Sequence, residues 1–258
     1  MTGPPDSLVN ALVERGLVSG LEWYEVVSST NTVAAEAVER RVREIHAVVA
    51  NEQIAGRGRL GRTWHAPPGT SLTCSLVLRP SVARNVLSLI PLLTGLVLVE
   101  TVDAFHPGVD AALKWPNDLL VKGRKAGGIL VEAGHSGAVI VGIGVNVDWR
   151  GVQRPPGLEC AISLAEAMGW GVDRWDVLAT LLTTFNARYR HWNLQPTGFL
   201  AEYGRRCATL GKMVRVSTVR GSEVTGHAAE IARDGALVVG LPYGRTIRVT
   251  AGDVEHVR

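Results

Sequence analysis

The sequence is poor in cysteine. Only three occur in 258 residues, Cys74, Cys160 and Cys207, and no two form a CxxC pair. That pattern excludes a disulfide framework and argues against a zinc site; reduced, buried thiols of a cytoplasmic protein are the expectation. A charge excess of one sign is also lacking. Twenty-seven Lys and Arg against 24 Asp and Glu leave a formal net charge of +3, too small to call for nucleic acid on its own. The opening MTGPPDSLVN has no basic-then-apolar signal pattern. Nor is there a long enough hydrophobic run. The most apolar stretch, NVLSLIPLLTGLVLV between Arg84 and Glu100, falls short of the roughly 18–20 residues of a membrane span, and Pro91 and Gly95 interrupt it. It reads as a buried helix, with no membrane as partner.

Several catalytic signatures are missing as well. No G-x-S-x-G elbow occurs, which disfavours a serine hydrolase. His65 and His135 stand alone, without H-E-x-x-H spacing for zinc. GRGRLG at Gly56–Gly61 has the letters of G-x-G-x-x-G. A dinucleotide fold needs a helix opening there and an acid about 20 residues on. Trp64-His65-Ala66-Pro67-Pro68-Gly69 follows instead, and Leu78–Pro80 offers no acid. No G-K-[ST] closes the loop as in a P-loop.

What is present is cationic and local. In QIAGRGRLGRTWHAP, Gln53–Pro67, Gly56, Gly58 and Gly61 alternate with Arg57, Arg59 and Arg62. Glycine permits left-handed turns and close approach to a ligand, and arginine brings a planar, permanent cation suited to phosphate. A solvated basic loop is the plain alternative; the interleaving favours anion binding. A second block, Lys114-Trp115-Pro116-Asn117-Asp118, reads either as a simple turn or as a phosphate site. In the latter, Lys114 and Lys125 converge on phosphates and Asp118 helps hold Mg²⁺. Lys125 precedes Ala126-Gly127-Gly128, where it either snorkels to water or points at substrate. Asn146 ends an apolar strand, capping a turn or recognising a nucleotide.

The patterns predict a helix over Ser7–Gly16, a strand over Leu21–Val27 and a helix from TVAAEAVERRV with Ser29 or Thr30 as N-cap. Strands are expected at His46–Asn51 and, half-buried by its alternation, at Ser71–Leu78. The apolar helix runs to Phe105. Leu119–Val121 and Gly128–Glu132 flank a turn at Lys122–Lys125, and Ala138–Val147 is a buried strand whose glycines imply the close approach of another backbone or a ligand. A Pro/Gly loop spans Asp148–Gly157, and helices follow near Ser163–Met168, Arg174–Trp192 and Gly198–Arg206. Glu36 and Glu39 read as a solvated helix face. After Cys207, short strands at Lys212–Thr218, Val224–Ile231, Ala236–Gly240 and Thr246–Thr250 predict a small β-barrel. The expected division is 1–207 and 208–258.

With these motifs in order, S-T-N at Ser29–Asn31, Q-x-A-G-R-G-R-x-G-R at Gln53–Arg62, K-W-P-N-D at Lys114–Asp118, R-K-x-x-G-I-L-V-E at Arg124–Glu132 and G-I-G-V-N at Gly142–Asn146, the chain resembles bacterial biotin protein ligases, the biotin–[acetyl-CoA-carboxylase] ligases. The resemblance implies an α+β fold: a central mixed β-sheet catalytic domain flanked by helices, followed by a small SH3-like β-barrel. It implies a biotin pocket at Ser29, Thr30, Asn31, Gln53, Arg57, Arg59, Lys125 and Gly128. ATP contacts follow at Arg59, Arg62, Lys114, Asn117, Lys125 and Asn146. Lys125, Arg59 and Asp118 take the catalytic roles, with Asp118 toward Mg²⁺. Ala126-Gly127 departs from the larger residue and alanine of many relatives, a change that loosens the turn without removing a donor. Only 28 residues precede Ser29, which implies the monofunctional type without a DNA-binding domain.

The implied reaction joins biotin and ATP into biotinyl-5′-AMP, then passes biotin to a lysine of a biotin carboxyl carrier domain of acetyl-CoA carboxylase or a related enzyme. The Gly/Arg loop is expected to close over the adenylate. A cytoplasmic location and no DNA partner go with this reading. A homodimer through an edge strand of the sheet remains open. The rivals are a lipoate ligase or octanoyl transferase of the same architecture, a biotin-sensing DNA-binding protein, and a plain nucleotide-binding module.

Overall fold

The computed structural model describes residues 3–154, 157–218 and 221–257; Pro155 and Pro156 of the expected Pro/Gly loop lie outside them. Along the chain come α1 (Asp6–Glu14), β1 (Gly20–Val27), α2 (Thr30–Glu39), β2 (His46–Gln53), β3 (Ser71–Leu78), α3 (Ile90–Phe105), β4 (Ala111–Lys114), β5 (Asp118–Val121), β6 (Arg124–Ala133) and β7 (Val139–Asn146). Then follow α4 (Leu164–Met168), α5 (Arg174–Leu194), α6 (Leu200–Arg206), β8 (Met213–Thr218), β9 (Glu223–Ile231), β10 (Leu237–Gly240), β11 (Thr246–Val249) and β12 (Gly252–His256).

Seven strands form one mixed sheet in the order β1-β2-β3-β7-β6-β5-β4, with β1 and β2 parallel and the other neighbours antiparallel. Helices α3 and α5 cover one face and α2 the other. The main core lies under α3 and α5. A smaller cluster, including Ala34, Ala37, Val48, Val77 and Ile140, lies under α2. Glu36 and Glu39 are exposed on α2, as their solvated reading requires.

Covering both faces explains one departure from the sequence reading. All eight residues of β3 are buried, not half of them. Leu72, Cys74, Leu76 and Leu78 enter the main core. On the opposite face Thr73 Oγ1 donates to the Ala50 carbonyl at 2.7 Å, and Ser75 meets α2 at Thr30 and Asn31. Satisfied hydroxyls make that burial tolerable. The thiols also split: Cys74 and Cys207 are buried but Cys160 is exposed, correcting the expectation of three buried cysteines.

The apolar run becomes a 3₁₀ turn, Arg84–Leu89, leading into α3. By length and composition Arg84–Phe105 is a candidate membrane span, yet its apolar window is 67% buried within the fold. Pro91 does not interrupt it. It occupies the first turn, where a missing N–H breaks no helical bond. Gly95 admits the Leu113 side chain of β4, which would lie 3.1 Å from an added Cβ.

The β5–β6 turn is tighter than expected. Lys122 and Gly123 have φ of 50° and 70°, the left-handed pair of a two-residue hairpin, so Arg124 and Lys125 already belong to β6. The register then slips: Leu119 opposes Gly127 but Leu120 opposes Lys125, leaving Ala126 as an extra residue. This bulge has a functional consequence. In a regular strand Lys125 and Gly128 face opposite sides; the bulge turns both to the α2 side.

Strands β8–β12 form an antiparallel five-stranded sheet, order β11-β10-β9-β8-β12, as an SH3-like unit. Its interior residues Val214, Val216, Leu237, Val239 and Val254 join the main core. Cys207 bridges to Leu113, and Ala208 N–H donates to the Leu113 carbonyl, so the chain stays bonded to β4 until just before β8. Trp115 fastens the sheet edge to this unit, its Nε1 donating to Gly235 O at 2.9 Å. Strand β12, paired with β8, was absent from the sequence reading.

Candidate active site

A cavity of about 390 Å³ opens on the α2 side of the large sheet. Its floor begins at the start of α2. Ser29 is the N-cap residue but its side chain makes no cap bond. Ser29, Thr30 and Asn31 are buried and line the cavity. Gln53 Oε1, at the end of β2, accepts from Thr30 N at 2.8 Å. The Asn31 amide donates to Glu132 Oε2 at 2.6 Å.

The close neighbours of the β7 glycines are side chains, not another backbone. A Cβ on Gly142 would strike the Asn31 amide, 3.0 Å from its Cγ. One on Gly144 would lie 2.8 Å from Trp64 Nε1, and one on Gly128 3.2 Å from Trp64 Cζ3. The indole is thus laid flat across β6 and β7 as a cavity wall. Trp64 Nε1 and Asn146 Oδ1 are buried without hydrogen-bond partners among the described residues, a donor and an acceptor beside the cavity.

The Gly/Arg loop folds back on itself. Gly58 N–H donates to Arg62 O at 2.7 Å and Trp64 N–H to Gly56 O at 2.9 Å, with Leu60 and Gly61 left-handed at the tip. This makes a short hairpin over the cavity, neither the helix of a dinucleotide fold nor an unstructured basic loop. Each arginine reaches a different element. Arg57 Nη2 meets Glu132 Oε2 at 3.1 Å. Arg59 Nη1 donates to Asn117 Oδ1 at 3.2 Å and to Gly252 O at 3.3 Å. Arg62 forms a two-pronged pair with Asp253 of β12. Burial lowers the Arg59 pKa, against the pull of Asp118 and Asp253. Hydrogen bonding to Asp253 raises that of Arg62. Burial pushes Asp253 up, but Arg62, with help from Lys114 and Lys125, holds it below the usual carboxylate range.

Opposite the loop, Lys125 Nζ lies 2.7 Å from Asp118 Oδ1. Asn117 is oriented by its Nδ2 donating to Ile129 O at 2.9 Å, after a cis Trp115–Pro116 peptide. Asn146 Nδ2 donates to Ile162 O at 3.1 Å. Arg124 donates to the carbonyls of Glu159, Cys160 and Ala161, so Leu158 and Ala161 complete the wall.

Of the residues expected from the sequence, Ser29, Thr30, Asn31, Gln53, Arg57, Arg59, Arg62, Asn117, Asp118, Lys125, Gly128 and Asn146 all line this one cavity. Lys114 does not. It stands on edge strand β4, and its charge reaches the site through Asp253. The sequence reading missed Asp253, Trp64 as a wall, and Glu132 and Ser75, which meet the two ends of the Asn31 amide. A tryptophan inside the Gly/Arg loop was a visible signal. Asp253 had none, because only long-range pairing brings β12 to the loop. The site gathers cations at one end and neutral amides and hydroxyls at the other, suited to an anion joined to a polar ring. Among the described residues no group of three His, Cys, Asp or Glu could hold a metal ion.

Residues 23–148 match the Biotin/lipoate A/B protein ligase family, and residues 209–257 match the Biotin protein ligase C terminal domain. The chain is 33% identical to the biotin–[acetyl-CoA-carboxylase] ligase of Mycobacterium tuberculosis, over 98% of this chain and 95% of that one. It is 32% identical to the bifunctional ligase/repressor BirA of Bacillus subtilis, over 91% of this chain and 73% of that one. Among solved structures, biotin protein ligase from Aquifex aeolicus in complex with biotin and ATP is similar with a TM-score of 0.80 and 29% identity, covering 92% and 98% of the two chains.

Proposed function

The chain belongs to the biotin protein ligase family, and from that premise we propose how its cavity performs the ligation. The enzyme activates biotin with ATP and transfers it to a lysine of a carboxylase carrier domain. Biotin's carboxylate attacks the α-phosphorus and pyrophosphate leaves. The carrier's ε-amine then attacks the acyl carbon and AMP leaves. No side chain of the enzyme need become covalently attached.

The observation that carries this reading is the convergence of Lys125, Arg59 and Arg62 around one cavity whose far end is Ser29–Asn31 and Gln53. The first step brings two anions together, and fixed cations offset the repulsion most as the phosphorane gains charge. Lys125 takes the central electrostatic role, aimed by Asp118 at 2.7 Å. Arg59 and Arg62 take the phosphates, Arg62 exchanging Asp253 for phosphate oxygens. Ser29, Thr30, Asn31, Gln53, Arg57 and Gly128 hold biotin. Asn117 and Asn146 serve the nucleotide, Asn146 through its Oδ1, which has no partner among the described residues. Lys114 contributes charge from outside the wall. Over all of this the arginine hairpin excludes water from the mixed anhydride.

Mg²⁺ fits this site as a companion of the triphosphate. Asp118 and Asp253 already pair with Lys125 and Arg62. Asp118 can therefore offer one free oxygen, and phosphate and water must complete the shell, the usual mode for this ion. The ion supplies charge neutralisation on the phosphates. The barrel, counted from Ala208, presents Gly252 and Asp253 to the hairpin. A cytoplasmic location goes with this reading.

The test is transfer of biotin to a purified carrier domain with ATP and Mg²⁺, beside a carrier whose acceptor lysine is replaced by arginine. Labelling of the unmodified carrier alone is the expected result. Lipoate transfer to its own carrier, with no biotin transfer, would keep the fold and overturn the substrate.

A further inference from the structure

Beneath the cavity floor, Thr30, Ser75, Asn31 and Glu132 form a hydrogen-bonded row with more contacts than one proton direction allows. Ser75 Oγ lies 2.7 Å from Thr30 Oγ1 and 2.6 Å from Asn31 Oδ1. Ser75 is fully buried and Thr30 and Asn31 nearly so, so water cannot repair a mismatch. A hydroxyl has one proton to give, while a carboxylate only accepts.

Glu132 resolves the ambiguity. Its oxygens face two donors, the Asn31 amide at 2.6 Å and the Arg57 guanidinium at 3.1 and 3.3 Å. Asn31 must turn its NH₂ to Glu132 and its carbonyl to Ser75. Ser75 must then spend its proton on Asn31 and accept from Thr30. The Thr30 hydroxyl lies 3.1 Å from Gln53 Oε1 and 2.7 Å from Ser75 Oγ; with the Ser75 proton spent on Asn31, its proton goes to Ser75, and Gln53 Oε1 keeps the Thr30 backbone N–H at 2.8 Å. Thr30 Oγ1 is left as an acceptor at the cavity wall.

We propose that Glu132 is a positioning residue that sets the proton direction of this row, so that Thr30 accepts from an N–H of the bound ligand. The inference rests on the biotin reading: biotin's cyclic urea carries two N–H donors. Glu132 also ties Arg57 of the hairpin to the same row, so the lid and the floor share one carboxylate.

The test is biotin affinity by calorimetry, with the KM for ATP from biotin-dependent pyrophosphate exchange. Glu132→Gln keeps the shape but can offer Asn31 either N–H or C=O. It should weaken biotin about tenfold, the upper end for one lost hydrogen bond between neutral groups, with the KM for ATP and kcat within about twofold. Asn31→Asp combined with Glu132→Gln restores an accept-only neighbour for Ser75, with the new side-chain amide at position 132 now the donor. The pair should recover most of the lost biotin affinity, which a merely structural role would not do. Unchanged affinity in Glu132→Gln, a parallel rise in the KM for ATP, or no recovery in the double variant overturns the proposal. A wild-type chain that binds no biotin overturns the ligase reading, and this proposal with it.

Discussion

Gly144→Ala should impair biotin binding far more than folding. The added methyl would enter the Trp64 indole, 2.8 Å from Nε1 and closer still to its ring carbons. Ordinary contact begins near 3.4 Å, so the ring must retreat by about 0.6 Å at Nε1 and further at those carbons. It cannot slide along the sheet, because Gly128 on β6 already faces Cζ3. Its backbone is held by the 2.9 Å bond to Gly56. The indole must therefore lift into the cavity. Overpacking of this kind costs about 1–3 kcal/mol. Borne by the ligand complex, that is about a 5- to 140-fold loss of biotin affinity at 1.4 kcal/mol per decade. Calorimetric titration would measure it, with a thermal melt recording the smaller effect on stability. Trp64→Phe in the same chain removes the offending ring and should recover affinity relative to Gly144→Ala alone, a non-additive cycle. Wild-type affinity in Gly144→Ala, or strict additivity with Trp64→Phe, would refute the indole as a wall.

Lys125→Ala should slow biotinyl-adenylate formation about 10²- to 10³-fold, the effect of removing one preorganised electrostatic contact; near-normal pyrophosphate release would remove Lys125 from the centre. Asp253→Asn weakens the pair with a largely exposed Arg62, so its stability effect should stay below about 1 kcal/mol. Proteolysis at Arg57–Arg62 in the unliganded protein should nonetheless accelerate, and an unchanged rate would mean β12 does not hold the hairpin. Biotin plus ATP should protect those same bonds in the wild-type chain; equal cleavage with and without them would count against closure. His256 is pulled down to about 4 by burial, with Lys212 and Lys114 adding to it. Between its ordinary value near 6.5 and 4 the unfolded chain binds the proton and the folded chain does not, so this contribution is complete above about 6.5 and is lost as pH falls through that window. His256→Gln should flatten the acid side of the stability curve, and parallel curves for the two proteins would refute the assignment.

Much of the site was legible because its requirements are local. Gly56, Gly58 and Gly61 beside three arginines announce a sharply turning, cationic backbone, whatever the rest of the fold does. The glycines of β7 implied a neighbouring backbone or a ligand, whereas the Asn31 and Trp64 side chains occupy that space. Trp64 was read only as a helix-breaking context, since nothing local says that its ring will cross to Gly144. Lys125 was legible as a residue type, but its placement depends on Ala126 being squeezed out of register, which the sequence around it does not encode alone. The alternation in β3 was real and its burial was misread: period-two polarity predicts water on one face, whereas here Thr73 and Ser75 find partners in Ala50 and α2. β12 escaped because Gly252–His256 has meaning only beside β8. Lys114, in the right block, follows β4 away from the wall.

The hairpin's anchors carry a consequence for biogenesis. Arg59 and Arg62 reach partners 193 and 191 residues further along the chain. As the polypeptide leaves the ribosome, the strands that carry Lys125 and Asp118 are made well before Gly252 and Asp253. A nascent or stalled chain would then carry Lys125 and Asp118 without the Gly252 anchor that Arg59 gives the hairpin. Synthesis order makes retention the later acquisition, so fragments ending before β12 should be judged by the adenylate they shed, not only by the activity they lack.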